Sequence, residues 1–205
     1  MLSDSSSIRN LQRLGLDHLV KDLEIVTPIK EEIGETRIKQ VHGVSNREVD
    51  ALIRYLEQIA IRTGKMISIE LEKNRDNHNI QTKNFILCYY EGKGKISLHH
   101  GEFYLLAKAV SLEEDLLCDD DAVEVISRLL SGICGINFKV WNTLDFLYNL
   151  YLAGQISASD FVDYFEDIEK KKLMHFKFPA KTMRDRYGLS RQPRCAQDHR
   201  KRWSE

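Results

Sequence analysis

The chain has 205 residues, 42% of them hydrophobic and 30% charged, with a formal net charge of -1. That make-up suits a globular domain with a sizeable core and excludes a fibre, a disordered chain or a general nucleic-acid coat protein. No apolar run reaches the roughly 20 residues that span a bilayer, and no basic-then-apolar leader opens the chain, so a soluble, cytoplasmic protein with no membrane partner is expected.

Strand-length apolar runs alternate with helical patterns along the chain, which predicts an α/β fold with a mainly parallel sheet. Met1 to Asp4 reads as a very short strand, and Ser7 to Lys21 as a helix with Ile8, Leu11, Leu14, Leu19 and Val20 available to its buried side. The strand "LEIVTP" follows. Pro28 then sits where a first helical turn tolerates it, and "IKEEIGE" continues as a helix. After Gly43, Ser45 with Glu48 three residues on forms a capping box for a helix to about Ile61, closed by Thr63-Gly64. "MISIEL" is a strand and the polar "KNRDNHNIQT" a loop. A helix over Asn84 to Tyr90 ends at "EGKGK".

Beyond it the pattern gives a helix from Gly101 to Val110, a strand running into Asp119, a helix to Leu130, a strand "INFKVW" and a helix from Leu144 to Leu152. Ser157 or Ser159 caps a helix through Lys171, and "LMHFKF" reads as an edge strand. Phe146, Tyr148, Tyr151, Phe161, Tyr164 and Phe165 fall at core spacings. The four cysteines, Cys88, Cys118, Cys134 and Cys195, have no CxxC spacing. The first three lie in apolar stretches, as reduced buried thiols do, so zinc is not suggested.

In a parallel α/β sheet, ligands bind at the carboxyl ends of the strands. Asp4 ends the first strand, and Asp119, Asp120 and Asp121 end a later one. Glu32 lies on the helix entered after "EIVTP", and Glu102 lies in the first turn of the helix opened by His100-Gly101. Each acid has a plain alternative as a helix cap or a dipole partner. Their joint placement raises a site for a hard divalent cation, which takes oxygen ligands.

The order of these segments resembles the PIN-domain nucleases, including the VapC-type toxin ribonucleases. "LSDSSSIRNLQRLGLDHLV" resembles the opening strand and helix of that family, with Asp4 as first catalytic acid and Ser6 at a small polar position. "VTPIKEEI" places Glu32 second, and "HHGEFYLLAKA" places Glu102 in the acidic slot, with Ala107 in the helix behind it. "LLCDDDAVEVISRLL" offers Asp120 as the best-aligned acid, with Asp119 and Asp121 beside it. "VWNTLDFLYNLYLAGQIS" matches Thr143 to a hydroxyl position and Gly154 to the loop before the last helices. Three departures stand out: the first strand has only three residues before Asp4, where the family usually has a longer apolar run. The span between Glu32 and Glu102 is longer than in the compact toxins, and nothing in the family matches the chain beyond Phe178.

The resemblance implies a three-layer α/β/α, PIN-like nuclease domain over residues 1–178, with a basic tail over 179–205. It also implies a metal-dependent endoribonuclease using Mg²⁺ or Mn²⁺, a candidate toxin with an antitoxin or other protein partner, and a homo-oligomer. Asp4, Glu32, Glu102 and Asp120 would be the catalytic acids. Asp4, Asp120 and Glu102, with Asp119 or Asp121, would hold the metal, while Ser6, Asn142 and Thr143 would orient ligands and water. A DNA nuclease and a noncatalytic adaptor remain as alternatives. From Lys181 onward eight basic residues face three acidic ones, so Arg184, Arg186, Arg191, Arg194, Arg200, Lys201 and Arg202 are candidates for holding RNA phosphates.

Overall fold

The computed structural model describes residues 1–34, 38, 40–63, 67–72, 84–91, 94–96, 98–174 and 180–189. The chain divides into two compact units, Met1–Phe146 and Leu147–Glu205.

The first unit is built on five parallel strands: β1 (Leu2–Ser3), β2 (Glu24–Val26), β3 (Gln40–His42), β7 (Leu116–Leu117) and β8 (Val140–Trp141), in the order β3-β2-β1-β7-β8. Leu2, Ile25, Val26, Leu116 and Leu117 are fully buried, as expected of strands covered on both faces. The expected three-layer α/β/α architecture is the one found, with helices flanking the sheet. The chain leaves β1 toward β2 and β3, then returns to continue from β7 to β8. That reversal sets a switch point between β1 and β7, where an open parallel sheet leaves a crevice at its carboxyl edge. Leu2 pairs with Leu116 and Ser3 with Leu117, and the Asp4 amide donates to the Leu117 carbonyl at 3.0 Å. The residues after both strands therefore leave the sheet side by side.

Helices α1 (Ser5–Arg13) and α2 (Asp17–Val20) follow β1. The single helix expected over 7–21 is divided because Gly15 takes φ 76°, a left-handed conformation that glycine adopts without a Cβ penalty. α3 (Thr27–Ile33) carries Pro28 in its first turn and stops at Gly34. α4 (Asn46–Thr63) opens on the expected Ser45–Glu48 capping box, with the Ser45 amide donating to Glu48 Oε2 at 2.6 Å. β3, before it, was not foreseen: three residues in "KQVHG" are too few for a periodic signal.

A second sheet, antiparallel in the order β4-β5-β6, lies between α4 and α5 in the chain: β4 (Ile67–Glu72), β5 (Asn84–Glu91) and β6 (Gly94–Ile96). β5 corrects the helix expected over Asn84 to Tyr90. The run "NFILCYY" is continuous in apolar, aromatic and branched residues, a composition that fits strand better than helix, and Leu71↔Phe85 and Ile67↔Tyr89 are paired across it. The loop read from "KNRDNHNIQT" lies outside the described residues. α5 (His100–Leu112) and α6 (Asp121–Leu129) match expectation, α6 passing into a π-helical turn, Leu130–Cys134. The strand expected over "INFKVW" is confined to Val140–Trp141.

α7 (Thr143–Leu152) starts in the first unit and ends in the second, where it leads to α8 (Ala158–Lys171), which Ser157 and Asp160 open with a full capping box. Phe161 and Phe165 are buried with Tyr187, and Tyr151 stacks on Phe161 at 5.7 Å. Leu173 and Met174 are not strand, and the rest of the expected "LMHFKF" strand lies outside the described residues. The start of the expected basic tail instead forms α9 (Ala180–Arg186), with Met183 and Tyr187 buried.

One tie between α4 and α5 predicts acid sensitivity. Lys108 Nζ lies 2.8 Å from Glu48 Oε1. Burial alone would raise the Glu48 pKa, but hydrogen bonds from Lys108 and Ser45 outweigh it and leave the carboxyl at about 2. A folded-state pKa below the unfolded one contributes stability above about pH 4.5, and that contribution is lost as pH falls toward about 2. With partial solvent screening it amounts to about 1–2 kcal/mol. Urea midpoints should therefore fall more steeply between pH 4.5 and 2 in the wild type than in Glu48→Gln. Parallel profiles would refute the tie.

Candidate functional site

Asp4 leaves β1 and caps α1. Its Oδ1 accepts from the Ser7 amide at 2.9 Å, and its Oδ2 accepts from the Ser6 hydroxyl and, at 3.5 Å, from the Cys118 thiol. Only 1% of it is exposed. Burial pushes its pKa up, Ser6 and Ser7 pull it down, and the Asp119 charge pushes it up again, leaving it raised.

Glu102 arrives from a different element, the first turn of α5, and its Oε2 is buried with no hydrogen-bond partner among the described residues. Burial raises its pKa, and the charges of Asp120 and Asp4 raise it further against its own amide and His99. Asp120 ends the turn after β7 and caps α6, its Oδ1 accepting from the Ala122 amide at 2.6 Å. Cys118 is buried beside them. Burial, with the charges of Asp4, Asp120 and Glu102, pushes its thiol pKa well up. Three acids from three separate elements thus act on one thiol, and the charges of Asp4 and Asp120 act on Glu102, at the switch point between β1 and β7.

Glu32 sits at the border of this group. Its Oε1 accepts from the Ser5 hydroxyl at 2.8 Å, and its Oε2 lies 3.6 Å from where a Cβ on Gly101 would stand. That Cβ would also stand 2.7 Å from Cδ1 of Ile29, which is wholly buried. Gly101 is therefore required for α5 to start against α3. Gly101→Ala should lower the unfolding free energy by about 1–3 kcal/mol, and an unchanged urea midpoint would contradict this.

The aspartate triplet divides into three roles. Asp119 is a strut: Thr143 donates to Oδ1 through its amide at 2.7 Å and to Oδ2 through its hydroxyl at 2.6 Å, and Asn10 Nδ2 donates to Oδ2 at 2.9 Å. Its oxygens are occupied in tying the end of β7 to α1 and to the start of α7. Asp120 faces the other acids electrostatically. Asp121 is the exposed first residue of α6. Ser6 donates to Asp4 and Thr143 to Asp119. Asn142 Oδ1 accepts from the Asp145 amide at 2.7 Å and caps α7.

Sequence reasoning missed Ser5, Asn10 and Cys118. Ser5 and Asn10 stand among the buried residues of α1 with Ile8 and Leu11, and a polar residue on the buried side of a short helix was the available signal. Among the candidate phosphate contacts, Arg184 is engaged by Glu169 Oε2 at 2.9 Å and packs over the Phe165 ring. Arg186 is exposed beside the Tyr187 ring. Arg191, Arg194, Arg200, Lys201 and Arg202 lie outside the described residues.

As the side chains stand, no three His, Cys, Asp or Glu among the described residues form a ready ligand set for a metal ion. The donor chemistry nevertheless fits a hard divalent cation. Glu102 presents a buried oxygen with no hydrogen-bond partner among the described residues, and burial, helped by the Asp119 charge at Asp4 and by the Asp120 and Asp4 charges at Glu102, raises the pKa of both acids; a cation would favour their charged forms and satisfy the oxygen. Comparison of the chain with protein-family models, with curated proteins and with solved structures gave no match in any of the three.

Proposed function

We propose that this chain is a metal-dependent nuclease that hydrolyses RNA phosphodiester bonds at the Asp4–Glu102–Asp120 cluster. The observation that carries the reading is the convergence of these acids, each delivered by a different element, around Cys118 at the switch point of a parallel sheet. A buried carboxylate oxygen with no partner among the described residues costs stability, and a role in binding a cation accounts for its being kept. The choice of RNA as substrate, and of Mg²⁺ or Mn²⁺ as cofactor, follows the PIN-like order of the acidic segments.

Asp4, Glu102 and Asp120 would hold the ion, with Glu32 at the border. A bound divalent cation supplies Lewis acidity and a water of lowered pKa. The chain's own contribution is positional. Ser6 and Ser7 aim the Asp4 carboxylate, the Ala122 amide fixes one oxygen of Asp120, and the Asp119 strut sets where the backbone after β7 emerges. Burial of Asp4 by the β1–β7 edge keeps bulk water from competing for its oxygens.

Thermal unfolding with Mn²⁺ tests the assignment without needing a substrate. A ligand at about a hundred times its Kd stabilises the folded state by about 2.7 kcal/mol, so the midpoint should rise by roughly 5–10 °C. Glu102→Gln should lose most of that rise. A midpoint that does not respond to millimolar Mn²⁺ or Mg²⁺ would overturn the metal reading.

A further inference from the structure

We propose that Arg9 is the residue that receives a substrate phosphate beside the acidic cluster; the inference rests on the nuclease reading above. Ser5 and Arg9 are four residues apart on α1 and so share a face, and both engage Glu32. Ser5 donates to Oε1, while Arg9 places Nη1 3.7 Å from the same oxygen and donates from Nη2 to the Glu32 carbonyl at 3.2 Å. Asp4 caps this same helix one residue before Ser5. Arg9 therefore stands five residues after the buried acid on the helix that acid caps, with its guanidinium against Glu32 at the border with the start of α5.

Charge gives this position its function. A polyanion approaching Asp4, Glu32, Glu102 and Asp120 meets four carboxylates. Among the described residues, Arg9 is the one basic side chain ion-paired to any of them. Its pair is open to solvent, with Arg9 48% and Glu32 46% exposed, and exposed pairs contribute little to folding. A planar guanidinium has five donors and binds phosphate in a forked geometry. Only two of its nitrogens are turned to Glu32, so it can keep that contact or trade it for a phosphate oxygen. Arg9 is thus a substrate-positioning residue, distinct from the acids that hold the metal.

Steady-state cleavage of a fluorogenic single-stranded RNA in Mn²⁺, at several salt concentrations, tests this with wild type, Arg9→Gln and Arg9→Lys. Arg9→Gln should raise KM about tenfold with kcat within about twofold, and should reduce the slope of log(kcat/KM) against log salt by about 0.7, one phosphate contact on a single strand. Arg9→Lys, which keeps the charge without the fork, should fall between. The Mn²⁺-induced thermal shift should match wild type in both variants, which a purely structural brace for Glu32 would not permit. An unchanged KM and salt slope in Arg9→Gln, or a fall in kcat at constant KM, would overturn the role of Arg9 and leave the nuclease reading standing. Absence of metal-dependent cleavage by the wild type would overturn both.

Discussion

Asp4→Asn should abolish RNA cleavage while leaving the metal-free protein as stable as the wild type or more so. Losing one charged ligand at the reacting centre should cost about a thousandfold in rate, roughly 4 kcal/mol of transition-state stabilisation. The stability effect has the opposite sign because Asp4 is buried, 1% exposed, with its pKa raised. A carboxyl whose folded-state pKa exceeds the unfolded one contributes fully below the ordinary range, near pH 4, and that contribution is lost as pH rises through the raised value. Glu102 behaves the same way. The metal-free wild type should therefore lose stability from about pH 4 upward, and Asp4→Asn, which has no such charge to bury, should lose less. Urea midpoints at pH 4 and pH 7 for both proteins check this. A variant destabilised at pH 7 would show that Asp4 serves the fold, through its cap on α1, more than a site.

The triplet Asp119, Asp120 and Asp121 should separate cleanly by substitution. Asp119→Ala removes the acceptor of three hydrogen bonds, two from the wholly buried Thr143 and one from Asn10. At about 1 kcal/mol or more for each, the loss is about 3–4 kcal/mol, a large part of the stability of a small domain. Asp120→Ala removes only a cap on α6, worth about 1 kcal/mol, yet should abolish cleavage. Chemical denaturation paired with an activity assay separates them. Equal destabilisation by the two, or full activity in a folded Asp120→Ala protein, would contradict the division of roles.

The parts of the fold that were legible in sequence are those with strong local signals. Ser45 and Glu48 announce α4, Pro28 opens α3, and a serine at 157 or 159 announces α8, which Ser157 caps. The acids at strand ends were legible for a related reason: a strand as short as Leu116–Leu117 still delivers the next residues to the carboxyl edge of the sheet. What could not be read depended on tertiary context. Asn84 to Tyr89 takes strand form through pairing with Ile67 to Glu72, with partners 12 to 22 residues away in the chain. The choice between Asp119 and Asp120 turns on Asn10 and Thr143, which reach Asp119 from remote positions in the sequence. Adjacent aspartates look alike to any local pattern; their partners distinguish them.

These acids are proposed to form a metal-dependent site that cuts RNA. End-labelled RNA and DNA oligonucleotides incubated with the wild type and with Asp120→Asn, in Mn²⁺ or in EDTA, test it most directly. Shortened RNA products from the wild type in Mn²⁺, absent in EDTA and absent with Asp120→Asn, are the predicted result. Uncut RNA in every wild-type reaction, or equal cleavage by both proteins or with and without EDTA, would contradict it.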